Sequence, residues 1–311
     1  MANAITLAKS YAAALDAVYA ASAKTAILNT APENVRAGKT AGSFLISKLA
    51  LVGLGDYSRA TGFASGDVTL TWEEHSYTYD RGRTFSVDAM DDLETAGQAF
   101  GNLAGEFVRT KVVPEIDAVR ISLLAQGSRK DASGNASLSA NYDASGTLST
   151  AALWVTALST AYTALVDNEV DEASLVCFIT SAGYELLTND ASTAATTSVL
   201  KRSTMVVVPA NRMVSRVSLD AGATSTAGGW SAATDASGND THSHINFVLM
   251  DKGAAFVDAK HAKPRIYDPD TNQTADAWKF DYRVYHDLFV YDNRHTGIYC
   301  HVVTENTGDT A

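Results

Sequence analysis

Basic charge is what this chain is short of. Lys and Arg number 24 against 35 Asp and Glu, a formal net charge of −11. A surface of that sign repels a phosphate backbone and argues against tight, sequence-specific DNA binding. Cysteine is scarcer still. Cys177 and Cys300 each sit inside an apolar, strand-like run, the pattern of buried free thiols, and a cytoplasmic compartment is expected. No apolar run approaches the ~18 residues of a membrane helix. A secretory leader is not expected either. Residues 17–23 loosely imitate a cleavage site, but Lys9 and Asp16 interrupt the apolar segment and no basic cluster precedes it.

The signatures of common chemistries are missing as well. There is no phosphate loop, and Gly53-Leu54-Gly55 lacks the third glycine and following helix of a dinucleotide site. A nucleophile elbow and metal-finger spacing of the cysteines are absent. Asp268, Asp270 and Asn272 imitate the start of a calcium loop, but Gln273 stands where Gly is required and Lys279 where the chelating Glu belongs. His286-Asp287 lies in a strand with no recognisable nucleophile, so a structural histidine is expected. The best metal candidates are His242 and His244, with Asp240 nearby. Alternate residues of an extended segment converge only if the backbone bends, so exposed polar residues are the expectation. No catalytic, cofactor-binding or metal residue is assigned.

What is present suits a globular fold, with 46% hydrophobic and 19% charged residues. Leu7, Tyr11, Leu15, Val18 and Ser22 fall at helical spacing and predict an amphipathic helix over about 4–26, stopped by Pro32. Such an arm must dock, on its own domain or elsewhere. Phe44 to Val52 and Asp67 to Tyr79 read as strands, the second with Val68, Leu70 and Trp72 on one face. Gly53, Gly55, Gly62 and Gly66 punctuate their connection. The pair predicts a long hairpin that must cover apolar side chains, either on this chain's body or on a neighbour, since a lone hairpin is marginal in water.

A long helix is predicted from Asp88 to Ala125, with Met90, Leu93, Gly97, Phe100, Ala104 and Phe107 on one stripe and Ile116, Val119 and Leu123 continuing it. Pro114 should kink or break it. Gly97, Gly101 and Gly105 recur every fourth residue, either for close approach of another backbone or as tolerated glycines. Asp-Ala-Ser-Gly occurs at Asp131, Asp143 and Asp235 and predicts turns. A second helix spans about Thr150 to Val166, with Leu153, Ala157, Ala161 and Leu165 on one face. Strands are expected at Ser174–Thr180, Met205–Pro209, Ile245–Met250, Ala277–Val290 and near Ile298–Val303, with a short helix from Ala182. Asp220 to Ser243 reads as a mobile or protruding loop. The class is α+β.

This order of arm, long hairpin, long helix, mixed domain and terminal strands resembles the major capsid proteins of tailed bacteriophages. Arg81-Gly82-Arg83-Thr84-Phe85-Ser86-Val87-Asp88, Phe107-Val108-Arg109-Thr110-Lys111-Val112-Val113-Pro114, Lys263-Pro264-Arg265-Ile266 and the run from Ala277 to Asp287 carry the resemblance. It implies the phage major-capsid fold, with residues 1–34 as N-terminal arm, 35–80 as extended hairpin loop and 81–125 as peripheral domain with its spine helix. Residues 126–244 would be the axial domain, and 245–311 strands returning to the peripheral domain. The implied role is structural: hexamers and pentamers closing into an icosahedral virion shell around double-stranded DNA. A separate scaffolding protein and a portal protein would be partners, with assembly in the host cytoplasm and neither membrane nor cofactor involved. Candidate inter-subunit contacts are Tyr11, Leu15, Phe44, Ile46, Leu70, Trp72, Arg81 and Arg83. The alternatives are a same-fold cellular nanocompartment enclosing protein cargo, and a metal-binding enzyme or surface module using His242 and His244.

Overall fold

The structure is a computed structural model that describes residues 23–29, 35–38, 42–59, 62–63, 65–94, 98–129, 141–190, 194–224, 227–235, 237–272, 274–291 and 294–304. The expected arm helix, with Tyr11 and Leu15, therefore lies almost wholly outside the described residues; a 3₁₀ turn, Lys24–Leu28, overlaps its end.

In chain order the elements are β1 Val35–Ala37, β2 Ser43–Leu51, β3 Val68–Ser76, β4 Tyr79–Asp88, α1 Ala89–Glu94, α2 Gln98–Phe107, α3 Val113–Ser128, β5 Tyr142–Asp143 and α4 Ala151–Asp167. There follow β6 Leu175–Thr180, α5 Ser181–Asn189, α6 Ala194–Arg202, β7 Thr204–Val208, β8 Val217–Asp220, β9 Gly229–Ala232, β10 Ile245–Asp251, β11 Ala255–Tyr267, β12 Ala277–Val290 and β13 Ile298–Val302. Helices and strands do not alternate regularly, and the α+β class holds.

The body is built on a five-stranded sheet ordered β5-β13-β10-β6-β7. Its strands are apolar at successive positions because both faces are covered. Val176 and Phe178 of β6 join Val248, Met250, Ile298 and Cys300 in a core against Ile121 and Leu124 of α3. The intervening Leu175, Cys177 and Ile179 face the other way, with Phe247 and Leu249, onto Trp154, Leu158 and Leu165 of α4. Both cysteines are free and buried. Thr150 caps α4 through its side chain. The helix's inward face uses Trp154 and Leu158 in addition to Ala157, Ala161 and Leu165, while Leu153 is exposed. Trp154 lies so close to Gly183 that a Cβ there would meet the indole at 2.3 Å.

A three-stranded sheet, β11-β12-β4, packs Phe280 and Phe85 against Ala104, Val108 and Val113 of the long helical run. The expected break at Pro114 is a π turn: Val108–Val112 links α2 to α3, and Val113 N–H reaches Val108 O, five residues back. The extra residue in the turn lets Pro114, which has no N–H to give, enter at the start of α3. Gly105 faces open space within the chain, so close approach of this chain's own backbone does not explain it.

Strands after residue 244 divide between the sheets. β11 and β12 pair with β4, whereas β10 and β13 are in the five-stranded sheet beside β6. The apolar faces of β10 and β13 match the two cores around β6, so residues 245–311 contribute to both sheets. The segment from Asp220 to Ser243, read as a loop, contributes β9, which pairs with β8.

Candidate assembly surface

β2 and β3 pair along their whole length, from Ser43↔Ser76 to Leu51↔Val68. In an antiparallel pair, directly opposed residues share a face and alternate residues switch faces. Phe44, Ile46 and His75 therefore face one way, and Leu49, Leu51, Val68, Leu70 and Trp72 the other.

The inner half of the first face is closed by this chain. Phe44 and Ile46 are buried with Tyr77, Phe256 and Phe289. The Phe44 and Phe289 rings meet edge-on at 4.3 Å, and Phe256 contacts Phe44 at 5.8 Å. Polar bonds fix the hinge: Tyr77 OH donates to Asp258, Thr78 N–H to Asp287 Oδ2 at 2.9 Å, and Tyr77 N–H to Gly42 O at 3.0 Å. Burial, reinforced by Asp258, pushes the Tyr77 hydroxyl well above the ordinary tyrosine range. His286 stacks on Tyr79 at 5.9 Å. Burial holds its imidazole down at about 3, with Arg120 adding repulsion, so it stays neutral, a structural role.

The outer half of the second face is left open. Trp72 is 37% exposed, Leu70 56% and Leu51 67%. At the tip Phe63 is 89% exposed and touches only Tyr57, at 4.9 Å among the ring contacts described. The Arg36 guanidinium lies 4.4 Å over the Trp72 ring, covering part of that indole. The candidates from the sequence thus separate. Phe44 and Ile46 are spent on the chain's own core, and Leu70 and Trp72 form an uncovered strip with Leu49, Leu51 and Val68. The sequence signal for the extra members was the same period-two alternation, read one strand further.

Arg81 and Arg83 are occupied within the chain. Arg81 bonds Glu115 Oε1 at 2.7 Å, Asp220 O at 2.7 Å and Gly229 O at 3.1 Å. Arg83 bonds Ala227 O at 2.9 Å and Thr224 O at 3.3 Å. Together they clasp the β8–β9 connection, where Gly222 and Gly228 adopt positive φ.

Asp117 of α3, fully buried, fixes the end of the arm. It accepts from Lys24 N–H at 3.0 Å, Thr25 N–H at 3.1 Å and Thr25 Oγ1 at 2.7 Å. Arg212 completes the shell at 3.0 Å, and Arg120 bonds Thr25 Oγ1 at 2.9 Å. The sequence offered no signal for this junction beyond a charged residue on an apolar helix face.

One arrangement imitates a hydrolase. Ser145 Oγ lies 3.0 Å from His301 Nε2, and Asn246 Nδ2 lies 3.0 Å from His301 Nδ1. Because the Asn246 amide also donates to Gly146 O, His301 Nδ1 accepts and Nε2–H donates to Ser145. That is the reverse of the tautomer a general base needs. Cys177 is raised to about 12 by burial and stays a thiol. Among the described residues, no helix is long and apolar enough to cross a membrane.

No protein-family model matches the chain, and no curated protein sequence does. Solved structures do. The mature capsid of bacteriophage PhiM1 superposes with a TM-score of 0.57 at 10% identity, over 85% of this chain and 82% of that one. The capsid of cyanophage P-SCSP1u gives 0.54 at 14%, over 87% and 86%. A virus-like particle from Pyrococcus furiosus gives 0.52 at 10%, over 94% and 97%. At such identities the likeness is one of architecture: this chain has the tailed-phage major-capsid fold.

Proposed function

We propose that the chain is the structural subunit of an icosahedral phage head, assembling as hexamers and pentamers around double-stranded DNA with the aid of a scaffolding protein and a portal. The observation that carries this reading is the uncovered strip of Leu49, Leu51, Val68, Leu70 and Trp72 on a hairpin whose base is already secured. Each large apolar side chain fully buried stabilises an assembly by roughly 1.5–3 kcal/mol. A surface built to be buried against copies of itself needs contact area, not a pocket. The acidic balance of the chain suits a container that must not adhere to its nucleic acid.

The test is electron microscopy of the expressed chain with and without a scaffolding protein. Rings or closed shells are expected. A compact monomer at all concentrations, with scaffold present, would refute the reading. The Pyrococcus furiosus likeness favours a second reading, a cellular compartment around protein cargo. The contents of purified particles separate the two: nuclease-protected DNA for the first, a co-purifying protein for the second.

A further inference from the structure

His242 was expected at an exposed position, and the structure buries it. Asp240, His242 and His244 occupy alternate positions, and each offers a donor atom within 4.8 Å of the others. The two imidazoles meet edge-on at 4.9 Å. A bend produces this, and backbone bonds hold the bend from both sides. Thr241 N–H reaches Ala233 O at 3.0 Å, Ser215 N–H reaches Ser243 O at 2.9 Å and Val303 N–H reaches His244 O at 2.8 Å. Ser243 N–H adds a bond to Ser215 Oγ at 2.7 Å. The three side chains therefore hang from a fixed frame, outside the hairpin and the arm junction.

The protonation pattern also fits a ligand set. His242 Nδ1 lies 2.8 Å from Ala233 O. A carbonyl only accepts, so Nδ1 carries a proton, which leaves Nε2 as the nitrogen that can ligate. A backbone carbonyl in that position is the usual outer-shell partner of a metal-binding imidazole. Asp240 Oδ1 is 3.9 Å from the same nitrogen, so the Ala233 carbonyl takes this proton, and the carboxylate must swing round to the Nε2 side to share an ion with it. Neighbouring Asp235 is committed elsewhere, accepting from Ser237 N–H, Asn239 N–H and the Asn239 amide.

We propose that Asp240, His242 and His244 bind a borderline divalent transition-metal ion of the Zn²⁺ class. Two imidazoles and one carboxylate suit such ions better than Ca²⁺ or Mg²⁺, which take oxygen ligands. Bonds of about 2.0–2.2 Å require the donors to draw closer than they stand. Asp240 and His244 are exposed, so it is these two that must move toward buried His242 when the ion binds. Three protein ligands leave a fourth position for water. Bound there, the ion ties the Thr234–Asp240 turn to the start of β10.

The test uses the untagged full-length chain, titrated with Zn²⁺ alone by calorimetry, and with Co²⁺ to read the absorption of a four-coordinate site. One equivalent per chain is expected, with a Zn²⁺-dependent rise in melting temperature. Asp240→Asn and His244→Ala, both at exposed positions, should weaken binding by at least the roughly 10–100-fold that losing even an outer-shell partner costs. His75→Ala, on the hairpin, should leave it unchanged. Absence of Zn²⁺ binding, or binding that both variants retain in full, would overturn the proposal.

Discussion

The two ends of the hairpin are made of similar residues and meet opposite fates. At its base Phe44 and Ile46 are closed in by Tyr77, Phe256 and Phe289. Further out Leu49, Leu51, Val68, Leu70 and Trp72 have the same apolar character and no such cover. A strand switches face with every residue, so one alternating sequence has two fates: one face anchors the hairpin to its own chain, and the other is left uncovered. In the proposed assembly, anchoring at the base would lower the ordering cost of covering the outer strip.

Substitutions should respect that division. Phe44→Ala removes a ring from a closed aromatic cluster and should destabilise the isolated subunit by about 3–5 kcal/mol, read by denaturant unfolding. Asp117→Ala leaves Arg212 and the Lys24 and Thr25 amides without their acceptor, and should cost a comparable ~3–5 kcal/mol. A loss under ~1 kcal/mol at either site would show that the closed region does not depend on these contacts.

Acid should act on the closed region too. His286 is held at about 3 when folded, by burial and Arg120, against an ordinary value near 6.5. The unfolded chain therefore binds the extra proton, and stability falls as pH drops from about 6.5 toward 3, by at most ~1.4 kcal/mol per unit. Asp287 works the other way, because burial raises its carboxyl: its contribution is greatest in acid and is lost as pH rises through its folded value. His286→Phe should flatten the slope above pH 5. An unchanged slope would assign the acid sensitivity elsewhere. The smallest effect is expected in the outer strip: Leu70→Ser should change subunit stability by less than ~0.5 kcal/mol.

Much of the fold could be read directly. The apolar runs of β6, β10 and β13 stand out because both faces are buried, and the two hairpin strands stand out by alternation. β11 was missed because Lys260, Lys263, Pro264 and Arg265 break the strand pattern. Its place at the sheet edge explains the tolerance, since Pro264 owes no hydrogen bond on the outer side. α6 was missed for want of strong helix formers among Thr196, Thr197 and Ser198. For the site, alternation identified Trp72 and Leu70 but placed no face inward. Which face is covered depends on Phe256 and Phe289, some two hundred residues away in sequence, and no local pattern carries that information. His242 misled for a similar reason: its polar neighbours predict exposure, and the bonds that fix its segment run to Ser215, Ala233 and Val303, which no local pattern announces.

The most direct test of the account is Trp72→Asp, measured on both the isolated subunit and its assembly. The account predicts an unfolding midpoint close to that of the unaltered subunit and a loss of rings and shells in sedimentation and electron microscopy. A subunit that unfolds on this substitution, while its folded fraction assembles normally, would place Trp72 in the chain's own core and contradict the claim that the outer hairpin is held out for a neighbour.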